Sequence, residues 1–444
     1  MGTATKLAAD ATLLDQLKAA RKLTDELFQV VRPDALYDRP IAERHRIIFY
    51  IGHLEAFDWN LFRGQRPELK SFHVDYDRLF AFGIDPVDGQ LPADQPQDWP
   101  SVADVDRYVR RVRHDLDILL NSVAADEPRQ NDSTPLAVLL HTAIEHRLMH
   151  AETLAYMFHR LPFDKKIPQQ QLDAPAGQFS PRMIEIPAGL ATLGLRREAE
   201  HPFGWDNEFD AHQVDVPSFR IDKFMVTNGE YAEFVLDGGY RRPEFWVEDD
   251  WEWIQHHGIE QPAFWVAQGN PWLYRGMFEH LPLPLEWPVY VSQAEAKAYA
   301  RWAGKALPTE GQWHRAAYGQ PDGAESEYPL ALRKNTKPDG NFDFLRWDAA
   351  PVASPVNNTS AFGAVGMLGN GWEWTSSEFA PFPGFQPFPF YPGYSANFFD
   401  GKHFVMKGGS PRTAAVLLRK SFRNWFQSYY QYAYAGFRCV SSGA

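Results

Sequence analysis

Residues 134–160, TPLAVLLHTAIEHRLMHAETLAYMFHR, are one unbroken run in which aliphatic side chains return at helical intervals. The run predicts a long helix. Within it, EHRLMHAETL (145–154) sets His146 and His150 four positions apart, so both imidazoles leave the same face, one turn apart. Two nitrogen donors can then reach one ion.

Outside this stretch, Leu13, Leu17, Leu23 and Leu27, and later Val109, Val112, Leu116, Leu119 and Leu120, repeat the helical spacing. Segments 11–32, 40–63 and 103–124 are therefore expected to be three further helices, with 64–102 as a long irregular connection. Four long helices suit an antiparallel bundle, whose ligating side chains project inward from facing helices. A third histidine, His53, lies in IGHLEAFDWNLF (51–62) on the second helix, where a bundle can set it opposite the pair. Three neutral imidazoles suit iron, zinc, copper or nickel and leave coordination positions open. In a chain with 15 histidines a pair at this spacing also arises by chance, and such residues are then surface or hydrogen-bonded core histidines. His45 and His141 are read that way. Glu152, near His150, is either an acceptor that orients the ligand or a solvated carboxylate.

The 444 residues suffice for two ordinary domains, and 44% hydrophobic with 15% aromatic residues supplies two cores. Lys+Arg number 44 against 57 Asp+Glu, a net charge of -13. With no basic run, neither nucleic acid nor an anionic membrane is an expected partner; a small substrate, including a cationic one, suits this surface better. Met1 to Leu17 carries Lys6, Asp10 and Asp15 and lacks the apolar core of a signal peptide, and no later stretch is apolar enough to span a bilayer. A cytoplasmic location is expected. Cys439 is the one cysteine, which excludes an internal disulfide and a multi-cysteine metal site.

Residues 161–180, LPFDKKIPQQQLDAPAGQFS, have no apolar period and read as linker, which sets domains at 1–165 and 181–444 with 166–180 between them. Beyond it lie 13 of the 15 tryptophans, among short β-like runs, Pro and Gly. Only 294–304, AEAKAYARWAG, reads as a clear helix there, so this half is expected to be a loop-rich α+β domain. WDNE, with Asp206 and Glu208, lacks enough oxygen ligands for calcium and is read as structural.

Several phrases in this half carry a resemblance: MIEIPAGLATLG (183–194), FGWDNEFDAHQVDVPSFRIDKFMVTNGEYAEFV (203–235), WPVYVSQAEAKAYARWAGKALPTEGQWHRAA (287–317), GNGWEWTSSEF (369–379), KGGSPRT (407–413) and YAGFRCV (434–440). They resemble the formylglycine-generating-enzyme-like domain, which implies an irregular C-type-lectin-like α+β fold. Formylglycine-generating enzymes hold copper with paired cysteines, and Cys439 alone excludes that chemistry. The same domain behind a DinB-like four-helix bundle is similar to the ergothioneine and ovothiol sulfoxide synthases, and the selenoneine synthases are a branch of that group. The expected fold class is thus α+β multidomain: a DinB-like four-helix bundle, then the lectin-like domain.

The resemblance implies that His53, His146 and His150 hold Fe(II), with O2 as co-substrate and hercynine as the substrate whose imidazole receives sulfur or selenium. FYPGYSANFFDG (390–401) matches the family segment that carries a proton-donating tyrosine, which implies Tyr391 first and Tyr394 second. FRNWFQSYY (422–430) matches the strip that holds the betaine and implicates Asn424 and Trp425, with Phe49 one turn before His53; aromatic faces attract a trimethylammonium group through the ring quadrupole. The donor varies within the family. In DYDRLFAFGIDPVDGQLPADQPQDWP (75–100), Phe80, Ala81 and Phe82 stand where polar side chains are expected, and Phe426 stands where the γ-glutamylcysteine branch has an aspartate. An α-ammonium group would there lose its partner, so a selenosugar donor is expected ahead of cysteine or γ-glutamylcysteine. Arg78 is the residue that can hold a donor carboxylate. A metal-dependent thiol transferase using zinc or nickel, and a ligand-binding module, are the competing classes.

Overall fold

The computed structural model describes residues 12–66, 68–81, 92–122, 134–174, 177–197, 203–267, 272–326, 340–354 and 358–443. The chain divides into two compact units, Met1–Gln170 and Gln171–Ala444.

In the first unit the long helices are α1 (Leu13–Phe28), α2 (Ile47–Gln65), α4 (Val102–Ser122) and α5 (Leu136–Arg160), with a short α3 (Val74–Leu79) after α2. Thr12 caps α1 by accepting from the Asp15 N–H at 3.2 Å, which satisfies one of the first-turn donors. α1 buries Leu17, Ala20, Thr24 and Leu27, and α4 buries Val105, Tyr108, Val112, Leu116 and Leu120, one stripe each. By contrast α2 and α5 are buried on nearly every side. Polar residues on such helices are costly unless they are paired or put to use. Past Arg160 the chain returns to the end of α1, where the Ile167 N–H donates to the Val30 carbonyl at 2.7 Å.

The second unit contains a four-stranded sheet ordered 424–427, 403–407, 372–378 and 435–436, and a three-stranded sheet ordered 183–186, 219–222 and 440–442. The latter pairs the first and last strands of the unit with the same central strand, so its two ends are held together. Ile186, Phe219, Ile221, Trp313 and Met367 pack into its core. Among the charged residues there, Arg438 is fully buried and clamps Glu373, with Nε–Oε2 at 2.8 Å and Nη2–Oε1 at 2.8 Å.

Asn228–Leu236, Glu248–His257 and Glu310–Tyr318 are helices in addition to Gln293–Trp302, so the expectation of one clear helix is corrected. These helices are 9 or 10 residues long, too short for an apolar period to stand out. Two of them are marked by caps instead: Thr227 with Glu230, and Thr309 with Gln312, form reciprocal capping boxes.

Cys439 is fully buried, and burial, followed by the nearby Asp222 carboxylate, pushes its thiol well above the ordinary range. The native protein is expected to leave a disulfide-exchange dye unreacted and to release one equivalent of thiol on denaturation. A fast native equivalent would contradict that burial.

Candidate metal centre and aromatic cluster

His53 lies on α2, and His146 and His150 lie one turn apart on α5. Each is buried, and one ligand nitrogen from each falls within 4.8 Å of the others. His53 Nε2 and His150 Nε2 are 3.2 Å apart, close to the roughly 3 Å between nitrogens bound at right angles to one ion at about 2.1 Å. His53 Nδ1 lies 2.7 Å from the Phe80 carbonyl oxygen. A carbonyl only accepts, so Nδ1 carries the proton and Nε2 presents its lone pair to the centre. Burial lowers His53 to about 4 and lowers His146 and His150 well below the ordinary imidazole value. Three neutral imidazoles with converging lone pairs are what a divalent transition metal requires, and the residues fit one.

Aromatic rings wall the centre. Phe57, one turn after His53, stacks on His146 at 3.4 Å and 10°. Phe49, one turn before, stacks on His53 at 4.8 Å and lies tilted by 32° against His45 at 4.1 Å. Glu152 does not orient His150 through Nδ1, since that atom has no hydrogen-bond partner among the described residues. Arg78 is exposed on α3. Phe80 is fully buried, and Phe82 lies outside the described residues.

Glu55 and Asp58 lie on other faces of α2 from His53, since each residue advances the helix by about 100°. Arg147, next to His146, donates to Glu55 Oε1 at 2.9 Å and to Asp58 Oδ2 at 2.7 Å. Arg113 joins Glu55 at 2.7 Å and reaches Asp25 on α1 at 2.8 Å. Burial alone would raise Glu55, but Arg147, Arg113 and Arg21 pull it down to about 2. At Asp58 burial outweighs Arg147 and the carboxyl is raised. This ion network ties α1, α2, α4 and α5 together behind the metal-facing side.

In the second unit Tyr391 and Tyr394 sit in an irregular segment where the Tyr394 N–H donates to the Tyr391 carbonyl at 3.2 Å. Their ring centroids are 5.6 Å apart. Tyr394 stacks on Trp205 at 3.9 Å and meets the edge of Trp425 at 5.5 Å, while Trp425 stacks on Phe379 at 4.1 Å and 7°. The unit therefore brings Tyr391, Tyr394 and Trp425 together. Asn424 and Phe426 alternate with Trp425 along strand 424–427 and so point to the opposite face; Phe426 stacks on Tyr430 at 4.5 Å. Sequence reasoning missed Trp205, which is 189 positions from Tyr394 and carries no local signal. It missed Phe57 too, although its place one turn after His53 was legible. Glu208 is committed to Ser421 at 2.6 Å and to Arg419 at 2.8 Å, which accounts for WDNE as a structural motif.

Residues 169–442 match the sulfatase-modifying factor enzyme 1-like domain, and residues 16–154 match the DinB superfamily. A hercynine oxygenase of Mycolicibacterium smegmatis is 34% identical over 450 residues, covering 97% of this chain and 99% of that protein. A hercynine oxygenase of Mycobacterium tuberculosis is 41% identical over 243 residues, 54% of this chain and 56% of that protein. Ergothioneine biosynthesis protein 1 of Neurospora crassa is 29% identical over 500 residues, 93% of this chain and 55% of that protein. The chain thus spans about half the length of the latter two relatives and nearly all of the first. Both domain matches, in this order, and a full-length relative at this identity lead to one assignment: the chain belongs to the ergothioneine-type sulfoxide synthase family.

Proposed function

We propose that this chain is a cytoplasmic, oxygen-dependent enzyme that joins a thiol to carbon 2 of the hercynine imidazole, with Fe(II) as its metal. The observation that carries the reading is the meeting of His53, His146 and His150, buried and neutral, in a bundle whose relatives bear the name hercynine oxygenase. When bound, iron supplies the redox chemistry and lowers the pKa of a donor thiol. The reaction balances as one C–H, one S–H and O2 giving a C–S sulfoxide and one water.

The chain's own groups divide the remaining work. His53 and the α5 pair hold the metal, while Phe57 and Phe49 wall the imidazoles and limit water. Trp425 binds the betaine, the indole offering its ring quadrupole to the trimethylammonium group, while Asn424, on the other face of the strand, is left out of that contact. Tyr391 donates the proton consumed as oxygen is reduced; a phenol with an ordinary pKa of about 10 remains protonated at neutral pH for this role. Tyr391→Phe is expected to lower the carbon–sulfur product roughly 100-fold and to divert turnover to oxidation of the donor alone. Product partition read by mass spectrometry checks this, and an unchanged partition removes Tyr391 from the role.

The donor is proposed to be a thiol, cysteine or γ-glutamylcysteine; the relative named for ergothioneine, a sulfur compound, supports sulfur over selenium. Phe80, one basis for expecting a neutral selenosugar, is fully buried and packed against Gly52. Phe426, stacked on Tyr430, supplies no carboxylate for an α-ammonium group, and this favours the selenosugar as the second reading. Anaerobic loading with Fe(II), then hercynine, air and each donor in turn, separates them. A sulfur adduct supports the first reading, a selenium adduct formed only from the selenosugar supports the second, and no oxygen-dependent adduct rejects both.

A further inference from the structure

Of the three imidazoles, His53 is the one whose Nδ1 is hydrogen-bonded among the described residues. Its Nδ1 donates to the Phe80 carbonyl at 2.7 Å, whereas Nδ1 of His146 and Nδ1 of His150 have no hydrogen-bond partner among the described residues. The fold therefore sets the tautomer and ring orientation of His53 from outside α2. What sets the position of that carbonyl is the packing of Phe80. Its N–H closes α3 by donating to the Tyr76 carbonyl at 3.0 Å. Its ring lies directly over Gly52, the residue before His53: a Cβ added at Gly52 would fall 2.5 Å from Phe80 Cδ1 and Cε1. The ring cannot simply swing away, because Tyr76, Tyr108, Trp99 and Phe49 surround it at centroid distances of 5.7, 5.9, 6.3 and 6.3 Å. Any side chain at 52 must displace the Phe80 ring.

We propose that Gly52 and Phe80 are positioning residues for the metal centre: the bare Cα of Gly52 lets the Phe80 ring seat against α2, and that seating holds the Phe80 carbonyl on His53 Nδ1. The inference rests on the metal reading of the three histidines. It assigns to Gly52 a role that neither helix propensity nor catalysis explains, since glycine inside a helix weakens it. It also converts the segment after α2 from a specificity loop into part of the support of the ligand set. Outer hydrogen bonds of this kind fix the ligand tautomer, and their loss typically costs about 10- to 100-fold in metal affinity.

The test uses the full chain with Co(II) as a spectroscopic probe, and nitrogen-15 histidine labelling of the metal-free protein. In the wild type, His53 is expected to be protonated at Nδ1. Gly52→Ala is expected to shift that signal toward a tautomer mixture and to weaken Co(II) about 10- to 100-fold. Shortening the ring in Gly52→Ala/Phe80→Leu is expected to return most of the affinity, which places the effect in the contact between residue 52 and the ring rather than in helix propensity. A wild-type His53 protonated at Nε2 overturns the proposal, as does Gly52→Ala with unaltered Co(II) affinity and spectrum. Should Gly52→Ala fail to fold, the wild-type tautomer still decides. Failure of the metal reading is separate: the wild type would then bind no stoichiometric Co(II), while the tautomer measurement would stand.

Discussion

Replacing His150 by alanine is expected to abolish oxygen-dependent product formation and to weaken metal binding by more than the roughly 100-fold that loss of a supporting hydrogen bond costs. The reason is geometric. His150 Nε2 faces His53 Nε2 at 3.2 Å across the two helices, so its removal leaves His53 and His146 on different helices with no donor between them. The site has no carboxylate or thiolate to take its place, since the cluster among the described residues is three histidines. Circular dichroism should show the bundle intact, and elemental analysis of the reconstituted variant should show less than stoichiometric iron. A variant that keeps one equivalent of iron and normal turnover would remove the triad from the proposed mechanism.

The second large effect is on stability. Arg147→Met is expected to destabilise the first unit by about 3–5 kcal/mol, because it strands Asp58 without its guanidinium partner and strips Glu55 of one of its cations. All three residues are at most 1% exposed, so water cannot replace the lost bonds. For a unit of this size each kcal/mol moves the melting temperature by about 2–4 °C, giving a fall of roughly 6–20 °C. The control is Arg147→Met with Glu55→Leu and Asp58→Leu, which removes the stranded carboxylates as well and should recover much of the loss. If Arg147→Met melts within a degree or two of the wild type, the network contributes little and the bundle is held by its apolar packing.

The helical bundle was legible because α1 and α4 each bury one stripe, the signature that a periodic sequence announces, whereas the fold of the second domain was legible through its resemblance. The His146 and His150 pair was legible for the same reason, four residues being one turn. Other features resisted for particular causes. α2 and α5 are buried almost all round, so their apolar residues mark no face, and nothing in the pattern says which way His53 points. The carbonyl of Phe80 belongs to the backbone and leaves no trace in residue type, and the packing of its ring on Gly52 joins residues 28 positions apart. Trp425 and its neighbours were read as one strip, but a strand turns successive side chains to opposite faces. The pairing of Trp205 with Tyr394 comes from the folding of distant segments, which a single sequence does not encode locally.

The three donors of the centre are all neutral nitrogens on buried helices. Such a set offers no charge by which to reject the wrong ion. In the general affinity order of first-row divalent metals, nickel, copper and zinc bind imidazole more tightly than ferrous iron. Occupancy then becomes a question of supply. Chains folded in zinc-rich surroundings would form a silent population, inseparable from the active one by fold or size. With iron as the proposed working metal, the yield of working enzyme would follow the free iron concentration at the time of assembly rather than the amount of protein made.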